Sequence, residues 1–252
     1  MKQLNSGFSI FIFCFLFSTI TFAGFATSTS RIIYMQNDNA QSVTLANINE
    51  YPIITQTWID DGLGNPLQAK APFVVLPAVF KMNPQGIQAL RIVHNGDAMP
   101  QDRESVYWLN LYEIPGKPKE LSGPVTENKA RLDLAMNTQL KIFYRPKRLK
   151  KMDSTQIAQQ LQFYLQQQQG QTILICHNPT PYHISFTGLS IFQAEKEIQI
   201  QQEMDMMTPP LSKRIYHLQN SPQLTDFEKI KFSFINDQGH SIVGKYDKKQ
   251  TQ

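Results

Sequence analysis

The sequence has little cysteine, no apolar run as long as a membrane span and no motif of a common catalytic site. Its 252 residues include only two cysteines, Cys14 and Cys176, so a disulfide framework is excluded. The net charge of +4 arises from 24 basic and 20 acidic residues spread along the chain, without a basic stripe typical of nucleic-acid binding. The hydrophobic content of 41% supports packed cores and argues against a disordered chain.

Motifs of phosphate, nucleophile and metal sites are also missing. The sequence has no GxxxxGK[ST] loop, no GxSxG elbow and no HExxH motif. Its five histidines never occur at i, i+4 spacing. His177 and His183 flank a turn and can face one another, but two histidines do not make a metal site. The sequence therefore favours a protein that is not an enzyme and holds no metal.

The first 23 residues have the pattern of a secretory signal peptide. Lys2 precedes an almost purely apolar run, Phe8–Ile20, and small residues then mark cleavage after Ala23 or, alternatively, after Ala26. A membrane anchor is the competing interpretation, but this run is shorter than the roughly 20 apolar residues of a membrane span. We expect an exported mature chain whose one remaining cysteine, Cys176, lies in a buried strand.

Short runs of β-branched and aromatic residues, separated by turn residues, recur through the mature sequence. This spacing predicts an all-β protein built from sandwiches rather than a parallel α/β sheet. A polar stretch near residues 146–152 indicates a boundary between two domains, at residues 24–147 and 148–252. Residues 155–160 are expected to form a short helix and Gln166–Gly170 a hairpin loop. The expected strands include Arg31–Met35, Ile53–Ile59, Phe73–Val75, Ala89–His94, Ser105–Leu111, Leu161–Leu165, Ile173–Cys176, His183–Leu189, Ile198–Gln201, Arg214–Leu218 and Lys229–Ile235.

One segment, Ala130–Pro146 (ARLDLAMNTQLKIFYRP), alternates between apolar and polar residues over an unusual length. Its even positions through Tyr144 are mostly apolar and most odd positions through Lys141 are polar, which predicts one long strand. Two interpretations stay open: a strand half-buried under its own sandwich, or an edge strand whose apolar row fills a groove of another protein. An uncovered edge of this length promotes aggregation and would need a partner.

Four motifs in this sequence resemble the periplasmic pilus (fimbrial) chaperones, the PapD-like family. They occur in the family's order: Met99–Pro115 (MPQDRESVYWLNLYEIP), Lys141–Pro146 (KIFYRP), Asn178–Tyr182 (NPTPY) and Ile235–Asp237 (IND). The resemblance covers essentially the whole mature chain. It implies two immunoglobulin-like β-sandwich domains in an L-shaped or boomerang arrangement with a binding cleft between them. It also implies that the protein has no enzymatic activity, no cofactor and no use of ATP.

The resemblance further implies a role in fibre assembly. Such chaperones bind pilus subunits in the periplasm, stabilise them by donor-strand complementation and deliver them to an outer-membrane usher. Arg31 and Lys141 match the two cations that anchor a subunit's C-terminal carboxylate, whose two acceptor oxygens suit a guanidinium and an ammonium. Leu132, Leu134 and Met136 match the donor-strand side chains that enter the subunit's groove.

Glu104, Arg145 and Asp237 match an ion-pair network that bridges the family's two domains. This match also provides a partner for Glu104, which precedes an apolar strand and would be costly to bury unpaired. One feature departs from the family pattern. The connection between Pro115 and Leu132 is longer than in short-loop members, but the cysteine pair usual in the long-loop subgroup is missing, so the subgroup stays open.

Two other functions stay open on the residues alone. An exported β-sandwich module would bind glycans or another surface ligand through exposed aromatic side chains such as Trp58, Tyr107 or Trp108. A hydrolase would pair Glu104 with Asp237 as acid and base, but the sequence indicates neither a substrate pocket nor groups that orient a nucleophile.

Overall fold

The computed structural model describes residues 24–116, 134–193, 196–220 and 223–248. Within these ranges no helix is both long and apolar enough for a membrane span. The first half holds strands β1 Phe25–Thr27, β2 Arg31–Met35, β3 Gln41–Asn47, β4 Ile53–Asp60, β5 Phe73–Leu76, β6 Val79–Met82, β7 Ile87–His94, β8 Ser105–Pro115 and β9 Met136–Arg145, with a 3₁₀ turn at Pro66–Gln68. The second half holds helix α1 Ser154–Gln160 and strands β10 Gln162–Gln168, β11 Gln171–Asn178, β12 Ile184–Gln193, β13 Lys196–Gln199, β14 Met207–Thr208, β15 Ser212–His217, β16 Lys229–Ile235 and β17 Ser241–Asp247.

The first half of the chain packs two sheets face to face. One sheet has the strand order β1-β3-β7-β5, and the other has the order β2-β9-β8-β4-β6. Alternate residues of the strands point inward, as in β4, where Ile53 and Ile59 are buried in the same core as Leu45 and Leu90. This alternation on the two inner faces is the core of a β-sandwich. The Leu76–Pro77 peptide bond, whose isomer the sequence does not decide, is cis.

The second half builds another sandwich with a separate core. Its sheets have the orders β10-β11-β15 and β13-β12-β16-β17, and β14 pairs with β12. The core holds several aromatic side chains that meet edge to face, including Phe186 against Phe232 and Tyr216. Such contacts add to the free energy gained from burial of the rings. The prediction of an all-β protein with two sandwiches is confirmed.

The short helix α1 begins with a capping box. The Asp153 side chain accepts a hydrogen bond from the Gln156 backbone N–H, and the Gln156 side chain accepts one from the Asp153 backbone N–H. These two bonds satisfy donors that a helix start otherwise leaves unpaired. Ile157 and Ala158 pack against the second core, which fixes the helix beside the domain that follows it.

The glutamine run is where the expected secondary structure is wrong. Gln166–Gln168 continue β10 instead of forming a hairpin loop, and the turn consists of Gln169 and Gly170, both with positive φ. The register ends with Gln168 opposite Gln171 in β11. At this exposed end of the sheet, backbone hydrogen bonds to β11 are sufficient to keep the chain extended. The strand therefore continues past its last apolar residue into the polar sequence.

Cys176 lies fully buried in β11, which agrees with the expectation of a strand cysteine. Burial raises the pKa of its thiol to about 12, so almost no thiolate forms near neutral pH. We expect the mature native protein to resist a thiol-specific chromogenic reagent at about pH 8, and the urea-unfolded protein to react at once. Rapid labelling of the native protein would contradict a buried, inert cysteine.

Candidate functional site

Two cations lie side by side where β2 begins. Arg31 is the first residue of β2 and is the register partner of Lys141 in the parallel pair β2–β9. The neighbouring residues Ile32, Leu140 and Ile142 point into the first core. Since strand side chains alternate between faces, Arg31 and Lys141 both point away from that core. Their side chains donate hydrogen bonds to residues of the second domain.

Arg31 is a partly buried cation without a carboxylate in direct contact among the described residues. Its Nη1 donates to the backbone oxygen of Ile235 at 3.0 Å, and its guanidinium lies 5.3 Å from the ring centre of Phe143. Its Nε is buried without a hydrogen-bond partner in the described part of the chain. Burial lowers the pKa of Arg31, although the charges of Asp237 and Glu104 oppose this shift. An incoming anion would therefore meet an under-compensated guanidinium.

Lys141 has a carboxylate partner in the second domain. Its Nζ lies 3.0 Å from Oδ1 of Asp205, and the side chains of Lys141 and Asp205 are 25% and 46% exposed. Asp205 lies between β13 and β14. No motif in the sequence marks Asp205, and it meets Lys141 only because the two domains pack together.

The three residues of the expected ion-pair network come together in the structure. Arg145, at the end of β9, donates from Nε to Glu104 Oε1 at 2.7 Å. Its Nη1 and Nη2 donate to the two carboxylate oxygens of Asp237 at 2.5 and 2.6 Å. Burial by itself would lower the pKa of Arg145. The hydrogen bonds and negative charges of Asp237 and Glu104 outweigh this effect, so the pKa of Arg145 is raised. Arg145 thus connects a carboxylate of the first domain to one of the second.

His183 is a fourth member of this network, which the sequence did not indicate. Its backbone N–H and its Nδ1 both lie on Glu104 Oε2, at 2.8 and 3.0 Å. Because Glu104 accepts, the Nδ1 atom carries the proton. The side chains of Glu104 and His183 are 1% and 5% exposed. His177 contacts Gln162 instead, so the two histidines do not face one another.

The apolar row of β9 leaves the core at the strand's amino-terminal end. Leu140, Ile142 and Tyr144 are buried in the first sandwich, whereas Met136 is 48% exposed. Leu134, two residues before Met136, is 64% exposed. Leu132 and the rest of residues 117–133 lie outside the described residues, as does the loop that bears on the subgroup. Among the described residues of the segment, the half-buried interpretation therefore fits those from Leu140 onward and not Leu134 or Met136.

The aromatic side chains of the glycan-binding alternative do not form one platform. All three are part-buried, and Tyr107 and Trp108 point to opposite faces of β8 because they are adjacent in the strand. Tyr107 packs against Phe73, with ring centres 5.4 Å apart. Trp58 donates its indole N–H to Asp60 at 3.0 Å.

Two family models match this chain. The model of the "Pili and flagellar-assembly chaperone, PapD N-terminal domain" matches residues 24–150, and that of the "Pili assembly chaperone PapD, C-terminal domain" matches residues 156–246. The chain belongs to this family. The expected family and the absence of enzymatic activity are confirmed, since PapD-family proteins are pilus-assembly chaperones and not enzymes. The hydrolase alternative is therefore wrong, and both of its carboxylates are bound to Arg145.

Relatives of this PapD-family chain match it over most of its length. The probable fimbrial chaperone YadV of Escherichia coli (strain K12) is 30% identical over 237 residues, which are 93% of this chain and 94% of YadV. The probable fimbrial chaperone LpfB of Escherichia coli O157:H7 is 34% identical over 226 residues, 89% of this chain and 88% of LpfB.

Solved structures of PapD-family chaperones share the fold. The crystal structure of the YadV chaperone superposes with a TM-score of 0.72 at 27% identity, covering 88% of this chain and 98% of that one. The Pseudomonas aeruginosa CupB2 chaperone superposes with a TM-score of 0.68 at 25% identity, covering 88% and 99%. The immunoglobulin-like, two-domain sandwich fold is confirmed.

Proposed function

We propose that this PapD-family protein captures pilus subunits in the periplasm by donor-strand complementation and passes them to an outer-membrane usher. The observation that carries the proposal is an open strand edge ending at two cations. Within the described residues, β2 occupies the outer edge of β9 only from the pair Arg31–Lys141 onward. The edge over Met136–Leu140 has no strand partner there. An extended segment of another protein can add to such an edge by backbone hydrogen bonds.

The position of the cations defines the direction of the added strand. Arg31 and Lys141 lie at the end of the open edge that is nearer the carboxyl terminus of β9. A subunit whose terminal carboxylate binds there must enter over Met136 and end beside Lys141, so it runs parallel to β9. Arg31 can bind both carboxylate oxygens through its planar guanidinium, and Lys141 adds a point charge.

The exposed apolar side chains before and at the start of β9 provide the second part of the interaction. Leu134 and Met136 would enter an apolar groove of the subunit, and Leu132, outside the described residues, would be the third. Each large side chain that becomes fully buried contributes about 1.5–3 kcal/mol. Their burial would also remove an edge that otherwise favours aggregation.

Non-covalent binding of this type is compatible with the proposed delivery to the usher. The proposed contacts are backbone hydrogen bonds, apolar side chains and two ion pairs, without a covalent bond. Another strand can therefore replace β9 in the subunit's groove step by step, and exchange between strands requires no ATP. The periplasmic location of this chain is part of the proposal and rests on the family and on the signal-peptide pattern of residues 1–23.

Replacing Leu134 by aspartate tests the donor role. We expect tagged mature protein from the native periplasm to carry a small β-rich subunit at near one to one, identified by mass spectrometry. Leu134→Asp should lower this recovery by at least about tenfold, because it removes an apolar contact and brings a carboxylate into an apolar groove. Cells that make only this variant should also carry few fibres, since the usher receives few subunits.

The matched control for Leu134→Asp is Leu67→Asp. Leu67 is 95% exposed and lies in the 3₁₀ turn of the same domain. Subunit recovery should be unchanged in this variant. If Leu134→Asp recovers as much subunit as the wild type, the donor role is wrong. If the free Leu134→Asp variant loses cooperative unfolding, Leu134 belongs to the chaperone's own core.

A further inference from the structure

Asp205 forms an ion pair with the ammonium group of Lys141, which in the proposed function binds the subunit's terminal carboxylate. Its Oδ1 lies 3.0 Å from Lys141 Nζ, and the two residues are 64 positions apart, in different domains. In the free chaperone, therefore, one of the two anchoring cations already has a carboxylate partner. The other cation, Arg31, contacts the backbone oxygen of Ile235 instead.

Arg214 holds Asp205 in place from the other side. The Nη1 of Arg214 lies 3.2 Å from Asp205 Oδ2 and 2.6 Å from the backbone oxygen of Met207. Its Nη2 donates to Glu203 Oε2 at 2.8 Å and to the backbone oxygen of Asp205. The guanidinium also lies 5.2 Å from the ring centre of Tyr216, a fully buried residue. Asp205 is thus held beside Lys141 by the second domain's own structure.

A tethered carboxylate of this kind competes with any free one. Because Asp205 belongs to the same chain, its contact with Lys141 is intramolecular, and its effective concentration at the ammonium is high. A second carboxylate arriving at Lys141 would be repelled by Asp205, since like charges on one cation raise the energy of both. Asp205 must therefore move aside, or share Lys141, when a chain end binds.

We propose that Asp205 is an internal competitor that occupies Lys141 in the unloaded chaperone and is displaced by the subunit's terminal carboxylate. This inference rests on the proposed function and extends it to the strength of subunit binding. Asp205 lowers the affinity for every subunit with a free chain end and favours release of the subunit afterwards. Binding also breaks one direct ion pair between the two domains.

The test is a competition between two chaperones in one periplasm. Wild-type and Asp205→Asn proteins with different tags are produced at equal levels in cells that make the fibre, and the subunit on each tag is quantified by mass spectrometry. We expect about two- to fivefold more subunit on Asp205→Asn, the range set by one partly exposed ion pair. Asn keeps an oxygen for Arg214, so the loop should stay in place.

The matched control is Asp226→Asn. Asp226 also pairs with a lysine, Lys248, but at a site in the second domain away from Lys141. It should leave the ratio between the two tags at one. An equal ratio for Asp205→Asn contradicts the competition. A ratio below one also overturns it and makes Asp205 a residue that positions Lys141 for binding.

The same experiment separates this inference from the function on which it rests. Subunit on both tags in equal amounts contradicts the role of Asp205 alone. Absence of subunit from both tags contradicts the proposed function and the competition together. As an independent readout, reductive methylation of Lys141 should be faster in Asp205→Asn, because the Nζ atom is no longer held in an ion pair with the Asp205 carboxylate; equal rates would contradict the proposed contact.

Discussion

Alanine at Lys141 or at Arg31 should abolish recovery of pilus subunits from the periplasm while the chaperone stays folded. In the proposed function, each substitution removes a charged hydrogen-bond donor for the subunit's terminal carboxylate. A hydrogen bond to a charged group contributes about 1.5–3 kcal/mol, so each loss should weaken binding by about 10- to 100-fold. The measurement is the amount of subunit that co-purifies with the tagged mature protein.

Stability should change little in Lys141→Ala, whereas Arg31→Ala also loses the hydrogen bond from Nη1 to the backbone oxygen of Ile235 and should be moderately less stable. Lys141 loses only a partly exposed pair with Asp205, and such pairs contribute at most about 1 kcal/mol. Lys81→Ala and Arg91→Ala are the matched controls, since both side chains are exposed on strands of the same domain, β6 and β7. Wild-type recovery in both Lys141→Ala and Arg31→Ala would disprove the anchoring role. Loss of recovery in the controls would point to a general effect of net charge.

The conservative replacements distinguish charge from geometry. Lys141→Arg keeps a cation at the end of the open edge and should retain part of the recovery. Arg31→Lys replaces a planar fork by a point charge and loses the bidentate contact, so it should retain less. Equal subunit recovery in the two variants would mean that the site recognises the carboxylate by charge alone.

The sequence predicted strands best where alternation was strong. Arg31–Met35 and Lys229–Ile235 have the expected bounds, because their inward side chains are large and apolar on every second position. β17, at Ser241–Asp247, was not predicted, since it mixes small, polar and charged residues with a glycine. Its position is set by antiparallel pairing along the whole of β16. That pairing leaves no periodic signal in the strand itself.

The candidate site divides in a similar way. Motif residues were found because their spacing resembles a known family, and the structure brings Glu104, Arg145 and Asp237 into one network. Asp205 and His183 were missed for a physical reason. Asp205 contacts a residue 64 positions away, and His183 contacts one 79 positions away, each in the other domain. Neither the composition nor the periodicity of a local segment predicts such a long-range contact.

Replacing Arg145 by methionine should cause a large loss of stability. The change keeps the apolar stem but removes the cation between Glu104 and Asp237. Glu104 then stays 1% exposed with only the two donors of His183. Removing one partner of a buried ion pair costs about 3–5 kcal/mol because the other charge is left uncompensated. We expect the free energy of unfolding in urea to fall by about this amount.

The two tryptophans make it possible to measure how the loss of stability in Arg145→Met is divided between the two domains. Trp58 and Trp108 both lie in the first domain, so their fluorescence reports that domain, while far-UV circular dichroism reports both. Since Arg145 joins the domains, its loss should separate the two unfolding curves. Coincident curves with an unchanged midpoint would mean that the network does not couple the domains.

A double variant tests whether the uncompensated charge of Glu104 causes the loss of stability in Arg145→Met. Adding Glu104→Gln to Arg145→Met removes the uncompensated carboxylate but keeps an amide oxygen for His183, so the double variant should be more stable than Arg145→Met alone. Asp237→Asn is the contrasting single change, because Asp237 is 42% exposed and should lose no more than about 1 kcal/mol. If Glu104→Gln instead destabilises Arg145→Met further, the destabilisation comes from lost packing around the Arg145 stem and not from the buried charge of Glu104.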